Sequence, residues 1–200
     1  MKEHKLFLEM DKMEFKNQIK ALEKNLDELL QDVTTLQDIN NSIKLFCSAI
    51  KDDLPILIFG NGGSASDALH ITGELVGRFL KERNPVNIIC LNSNVSIITA
   101  WANDYDYNTV FERQVRAHSK KGGICWGIST SGNSSNVLKA FKVAQELEMK
   151  TIGLTGKDGG KMRDLSDILI RAPSNSTPRI QELHLPIYHY ICEQIEKTLF

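Results

Sequence analysis

The sequence predicts an α/β fold: a three-layer sandwich around a five-stranded parallel sheet, preceded by N-terminal helices. Three features predict it. Before Pro55, apolar residues recur only at helical spacing. After Pro55, short apolar runs alternate with helix-length segments. Those runs are apolar throughout rather than strictly alternating, as suits strands buried on both faces of a parallel sheet.

The elements follow in order. Phe15, Ile19, Leu22, Leu26, Leu29 and Val33 step by threes and fours, so they line one face of a helix. Leu36, Ile39, Ile43, Phe46 and Ile50 repeat the pattern, and Leu6, Met10 and Met13 form a thinner face ahead of both. Residues 1–52 are therefore expected to be a long or broken helix and a second helix, read as an oligomerisation arm. Residues 53–200 are read as the single α/β domain. Its strands are expected at 56–59, 86–91, 124–128, 151–154 and 168–170, joined by right-handed crossovers. The stretch 173–178 is loop-like, and 179–200 reads as a closing helix that Pro186 would disturb. Trp101 and Trp126 are read as core.

Composition narrows the function. The 200 residues carry 24 Lys+Arg against 25 Asp+Glu, a formal net charge of -1. A protein working mainly on nucleic acid would show a basic excess, so no nucleic-acid partner is expected. No stretch approaches the roughly 20 apolar residues of a membrane span, and the charged N-terminus lacks a signal-peptide core, so no membrane partner is expected. Cys47, Cys90, Cys125 and Cys192 are scattered within apolar runs, which fits buried thiols in a reducing cytoplasm.

In open α/β sheets ligands bind beyond the carboxyl ends of the strands. Two such ends are rich in small polar residues: 60–66 (GNGGSAS), and 129–135 (STSGNSS). Each leads into a helix. Glycines allow close backbone approach, and hydroxyls with free N–H groups at a helix start suit an anion. One such loop could be a tight turn with a serine cap. Two on neighbouring strands point to a phosphate or phosphosugar. Neither matches a Walker A loop or GxGxxG, so nucleotide binding is not supported. In the next helix His70, Glu74 and Arg78 share a face, and a His/Glu pair at i, i+4 can hold a metal or act as base and orienter. Spacing alone does not choose between His184 and His189. Asn103–Asp104 and Gly159–Gly160 are weaker site-like features.

Together GNGGSASDALH (60–70), ELVGR (74–78), AND (102–104), ISTSGNSSNV (128–137), LTGKDGGKM (154–162) and RIQELH (179–184) resemble the phosphoheptose isomerase family of sugar isomerase (SIS) domain proteins. The resemblance runs from about residue 15 to the end. It implies a homotetramer with active sites at subunit contacts, and aldose–ketose isomerisation of sedoheptulose 7-phosphate to D-glycero-D-manno-heptose 7-phosphate for lipopolysaccharide or capsule heptose. It implies Glu74 and His189 as catalytic residues and one zinc per subunit on His70, Glu74, Gln181 and His189. It further implies substrate contacts from Asn61, Gly62, Gly63, Ser64, Glu74, Asn103, Asp104, Ser129, Thr130, Ser131, Ser134 and Gln181. Two departures stand out: Pro178 replaces an Asp found in some members, and Gly73 leaves Glu74 the sole carboxylate on its turn. One branch of SIS proteins lacks the carboxylate and second histidine and serves as the tetrameric partner of a replication initiator protein. A phosphosugar sensor could also use the two loops. The presence of Glu74 and His189 favours the enzyme.

Overall fold

The computed structural model describes residues 2–200, with side chains from residue 13 onward; the side chains of Leu6 and Met10 lie outside that range. Two helices come first, α1 (Lys2–Gln31) and α2 (Val33–Lys51). The break between them is local chemistry. Asp32 caps α2 by accepting from the Thr35 amide at 3.0 Å and its hydroxyl at 2.8 Å. The chain continues β1 (Ile56–Gly60), α3 (Gly63–Val76), β2 (Ile88–Cys90), α4 (Val95–Asp104) and α5 (Val110–His118). It ends with β3 (Ile124–Ser129), α6 (Ser135–Glu146), β4 (Lys150–Thr155), β5 (Ile168–Arg171) and α7 (Thr177–Leu199).

The five strands are parallel, in the order β2-β1-β3-β4-β5. All five lie where the apolar runs put them. β2 is shorter than its run because the Val86 amide turns back to Leu75 of α3 at 3.0 Å. Helices α2, α3 and α7 cover one face, burying Phe46, Ile71, Leu75, Leu183 and Ile187 against Ile58 and Trp126. Helices α5 and α6 cover the other, with Phe111 and Phe141 on Leu57, Phe59 and Cys125. Thus α2 is a layer of the sandwich, whereas α1 leaves Met13, Phe15, Ile19 and Leu30 exposed.

Trp126 is fully buried against Phe46, with ring centroids 4.7 Å apart. Trp101 is only half-buried, stacked on Tyr105 at 4.2 Å with the Arg113 guanidinium above it. It therefore differs from the core reading. All four cysteines are buried and free. No helix among the described residues is long and apolar enough to cross a membrane. Pro178 lies in the first turn of α7, where a missing N–H removes no helical bond, and Pro186 lies inside it.

α3 and α7 run side by side in the same direction. Gly63 meets Gln181, Asp67 approaches His184, and His70 meets Tyr188. The sequence offset stays near 118 along the pair.

Candidate active site

β1 leads to β2 on one side and β3 on the other, so the loops after β1 and β3 flank the point where the sheet's winding reverses. These are the two glycine- and serine-rich loops. Each opens a helix whose N-cap side chain makes no capping bond; the Ser64, Ala65 and Ser66 amides turn back to Asn61 and Gly62, so the amides of Gly63, Ser135 and Asn136 are the ones open to an anion. The loops are bonded to each other. Asn61 and Asn136 exchange two amide hydrogen bonds of 2.9 Å, and the Tyr107 hydroxyl donates to Asn61 Oδ1 at 2.8 Å. Ser129 and Ser134 join hydroxyls at 2.9 Å across the second loop. Asn92 holds the end of β1 by bonding both the amide and the carbonyl of Gly60.

Ser64 is buried in the first turn of α3, its amide on Asn61 O at 3.0 Å. The Gln181 amide packs on Gly63, where a β-carbon would come within 2.8 Å of Gln181 Cδ. Thr130 accepts from the Gly156 amide through its carbonyl, and Ser131 Oγ receives the Asn133 amide at 3.2 Å. Gly132 has φ +63°, and a β-carbon there would run into the Gly159 carbonyl, so the Gly159–Gly160 turn supports this loop. Asn103 and Asp104 end α4, exposed and bonded to each other at 2.8 Å. Three residues past Asp104, Tyr107 is the residue of this segment that bonds the first loop, at Asn61.

Further along α3 a second cluster forms. His70 Nε2 lies 3.1 Å from Glu74 Oε1, and His70 Nδ1 lies 2.9 Å from the Tyr188 hydroxyl. The His189 ring stands edge-on to His70, centroids 5.1 Å apart, with Phe79 behind it at 5.5 Å. One ligand atom from each of His70, Glu74 and His189 lies within 4.8 Å of the others. His189 Nε2 is buried with no hydrogen-bond partner. Two imidazoles, one of them with an orphaned ring nitrogen, and a carboxylate fit a divalent metal, with Tyr188 orienting His70 as a supporting bond. Burial lowers the His189 pKa, His70 adds to this and Glu74 opposes it, so the ring is a neutral ligand or proton acceptor near pH 7. Burial raises the Tyr188 pKa, helped by the charges of Asp67 and Glu74, so its phenol stays protonated.

His184 and His189, indistinguishable by spacing, part here. His184 is fully buried, with Nε2 on the Thr155 carbonyl at 3.1 Å and a pKa pushed down by burial to about 4. It is neutral, so its 3.9 Å approach to Asp67 is not an ion pair. Arg78 lies past the end of α3 and leaves the His70–Glu74 face. Gln181 sits two turns from the cluster, because Gly63 precedes His70 by about 10 Å of helix.

Tyr188, Phe79, Tyr107, Asn92 and Asn136 escaped the sequence reading. Asn136 lies inside the 128–137 motif and Tyr188 beside His189; the others reach the site through folding alone.

A protein-family model described as the SIS domain matches residues 20–156. A phosphoheptose isomerase of Helicobacter pylori is 48% identical over 186 residues, 93% of this chain and 94% of the relative. Another, of Clostridium acetobutylicum, is 42% identical over 183 residues, 92% of this chain and 93% of its own. A solved phosphoheptose isomerase of Neisseria gonorrhoeae superposes with a TM-score of 0.87 at 34% identity, covering 93% of this chain and 98% of that one. Agreement of fold and similarity over more than nine-tenths of both chains lead to one conclusion: the chain belongs to the phosphoheptose isomerase family of SIS-domain proteins.

Proposed function

We propose that the protein isomerises sedoheptulose 7-phosphate to D-glycero-D-manno-heptose 7-phosphate, supplying heptose for lipopolysaccharide or capsule. The observation that carries this reading is that Glu74 and His70, on the helix that starts at the first phosphate-type loop, cluster with His189 of α7. The loops hold the phosphate through Ser64, Ser129, Thr130, Ser131, Ser134 and the amides around Gly62 and Gly63. Asn61, Asn103, Asp104 and Gln181 contact the sugar hydroxyls. Glu74 takes the proton from C1 of the ketose and returns it to C2. His189 carries a proton from the C1 oxygen to the C2 oxygen. One C–H bond breaks and one forms, through an enediol, with no net change in charge. Anchoring the phosphate away from the reacting carbons orients them for this transfer.

Zinc is the proposed metal, held by His70, Glu74 and His189, and it would polarise the substrate carbonyl. Gln181 would join it only by leaving Gly63. A homotetramer is the proposed assembly, using the exposed face of α1. A groove of about 540 Å³ lined by Leu26, Leu30, Leu36, Pro186 and Tyr190 continues that face, and supports the reading. The four buried thiols fit a cytoplasmic enzyme.

Turnover of sedoheptulose 7-phosphate by the wild type and by Glu74→Gln tests the reaction. A fall in kcat of at least about 100-fold is expected for the variant. A wild type that binds this substrate without turnover would overturn the isomerase reading. Full activity after complete metal removal would overturn the metal assignment.

A further inference from the structure

The chain that follows Glu74 is tied down from inside the molecule. Arg83, in the connection after α3, pairs with Glu196 of α7 at 3.1 Å, each side chain 2% exposed. A buried pair is tolerable only when its remaining polar atoms are also satisfied. Here they are. Glu196 Oε1 accepts from the Phe79 amide at 3.1 Å and from Arg83 Nε. Glu196 Oε2 accepts from the Leu80 amide at 2.7 Å and the Lys81 amide at 2.8 Å. Arg83 Nη2 donates to the Glu74 carbonyl at 2.7 Å, and Nη1 to the Leu75 carbonyl at 2.7 Å. Those carbonyls end α3 and lack helical partners. The guanidinium therefore caps the helix at the residue that bears the carboxylate, and the partner carboxylate fixes the backbone of Phe79, whose ring stands behind His189.

We propose that Arg83 and Glu196 are positioning residues that set Glu74 and His189 relative to each other; this rests on the isomerase reading above. A pair serving stability alone would have no need to bond the backbone of both the base and the wall behind the histidine. Displacing a catalytic group by about 1 Å can cost about 100-fold in rate.

Two variants test it. Arg83→Lys keeps the charge but cannot reach Glu196, Glu74 O and Leu75 O together. Arg83→Met with Glu196→Leu removes both charges and leaves neither buried alone. In each, kcat for sedoheptulose 7-phosphate is expected to fall at least about 10-fold with KM within about two-fold of wild type, because the phosphate loops are untouched. Folded variants with wild-type kcat, or with the loss wholly in KM, would overturn the proposal. An inactive wild type would reject the isomerase reading instead. Amide exchange then reads the positioning by itself: in the wild type residues 79–81 should exchange as slowly as α3, and in either variant they and Leu75 should speed up together. Loop-like exchange of 79–81 in the wild type would overturn the proposal whether or not a variant folds.

Discussion

Tyr188 touches His70 through one hydrogen bond, and that bond sets which face the imidazole turns toward Glu74 and His189. Removing such a supporting partner typically weakens a metal site about 10- to 100-fold. Tyr188→Phe is therefore expected to lower zinc affinity by that factor, read by titration calorimetry; unchanged affinity would remove Tyr188 from this role. Asp67 and His184 make a second prediction at this scale. Burial lowers His184 from 6.5 to about 4, so its contribution is present above pH 6.5 and is lost as pH falls toward 4. At about 1.4 kcal/mol per pH unit the loss is about 3 kcal/mol. Burial raises Asp67 from 3.8 to about 6, against the opposing charge of His70, so its contribution is present below pH 3.8 and is lost as pH rises through 6. The two slopes oppose each other between about pH 4 and 6. Asp67→Asn removes only the second slope. The variant should exceed wild-type stability at pH 7 by on the order of 1 kcal/mol, discounted for the carboxylate's partial exposure, and lose that advantage by pH 4.5 in urea melts.

The elements follow from local chemistry wherever that chemistry is contained in one segment. The five apolar runs became five strands because both sheet faces are covered, and α1 breaks at Asp32 because a carboxylate three residues before Thr35 caps the next helix. The composition of loop 129–134 was legible as that of a candidate anion loop. What holds it was not, because the Gly159 carbonyl beneath Gly132 arrives from a turn 27 residues later. Gly132→Ala sets a β-carbon at positive φ against that carbonyl. It is expected to destabilise the protein by about 1–3 kcal/mol in urea melts and to raise KM for the phosphorylated substrate. Arg83 was equally illegible. In the sequence it is one charge in a polar connection, and only the packing of α7 against α3 makes it a cap for Glu74. The choice of His189 over His184 is another long-range matter, since each lies on α7 and the difference is which one faces the side of α3 bearing His70.

For the whole molecule, a net charge of -1 gives no long-range attraction for a phosphate ester. Binding must come from the uncapped starts of α3 and α6, whose dipoles place partial positive charge at the two loops. Assembly belongs to this scale as well. Leu30, which lines the apolar groove, is 71% exposed. Leu30→Glu is expected to shift the particle toward smaller species by light scattering and to make Tm more dependent on protein concentration; an unchanged mass would exclude this face from the contact. The in-step pairing of α3 with α7 reaches further still, into how the chain can change length over time. Inserting or deleting one residue within 64–73 or 182–188 turns every later side chain by about 100° about its helix axis. Such an event would separate Glu74 from His189 while leaving each helix intact. Length variation among descendants of this chain should therefore collect in connections such as 119–122 and 173–176, and spare the two helices whose side chains must keep count with each other.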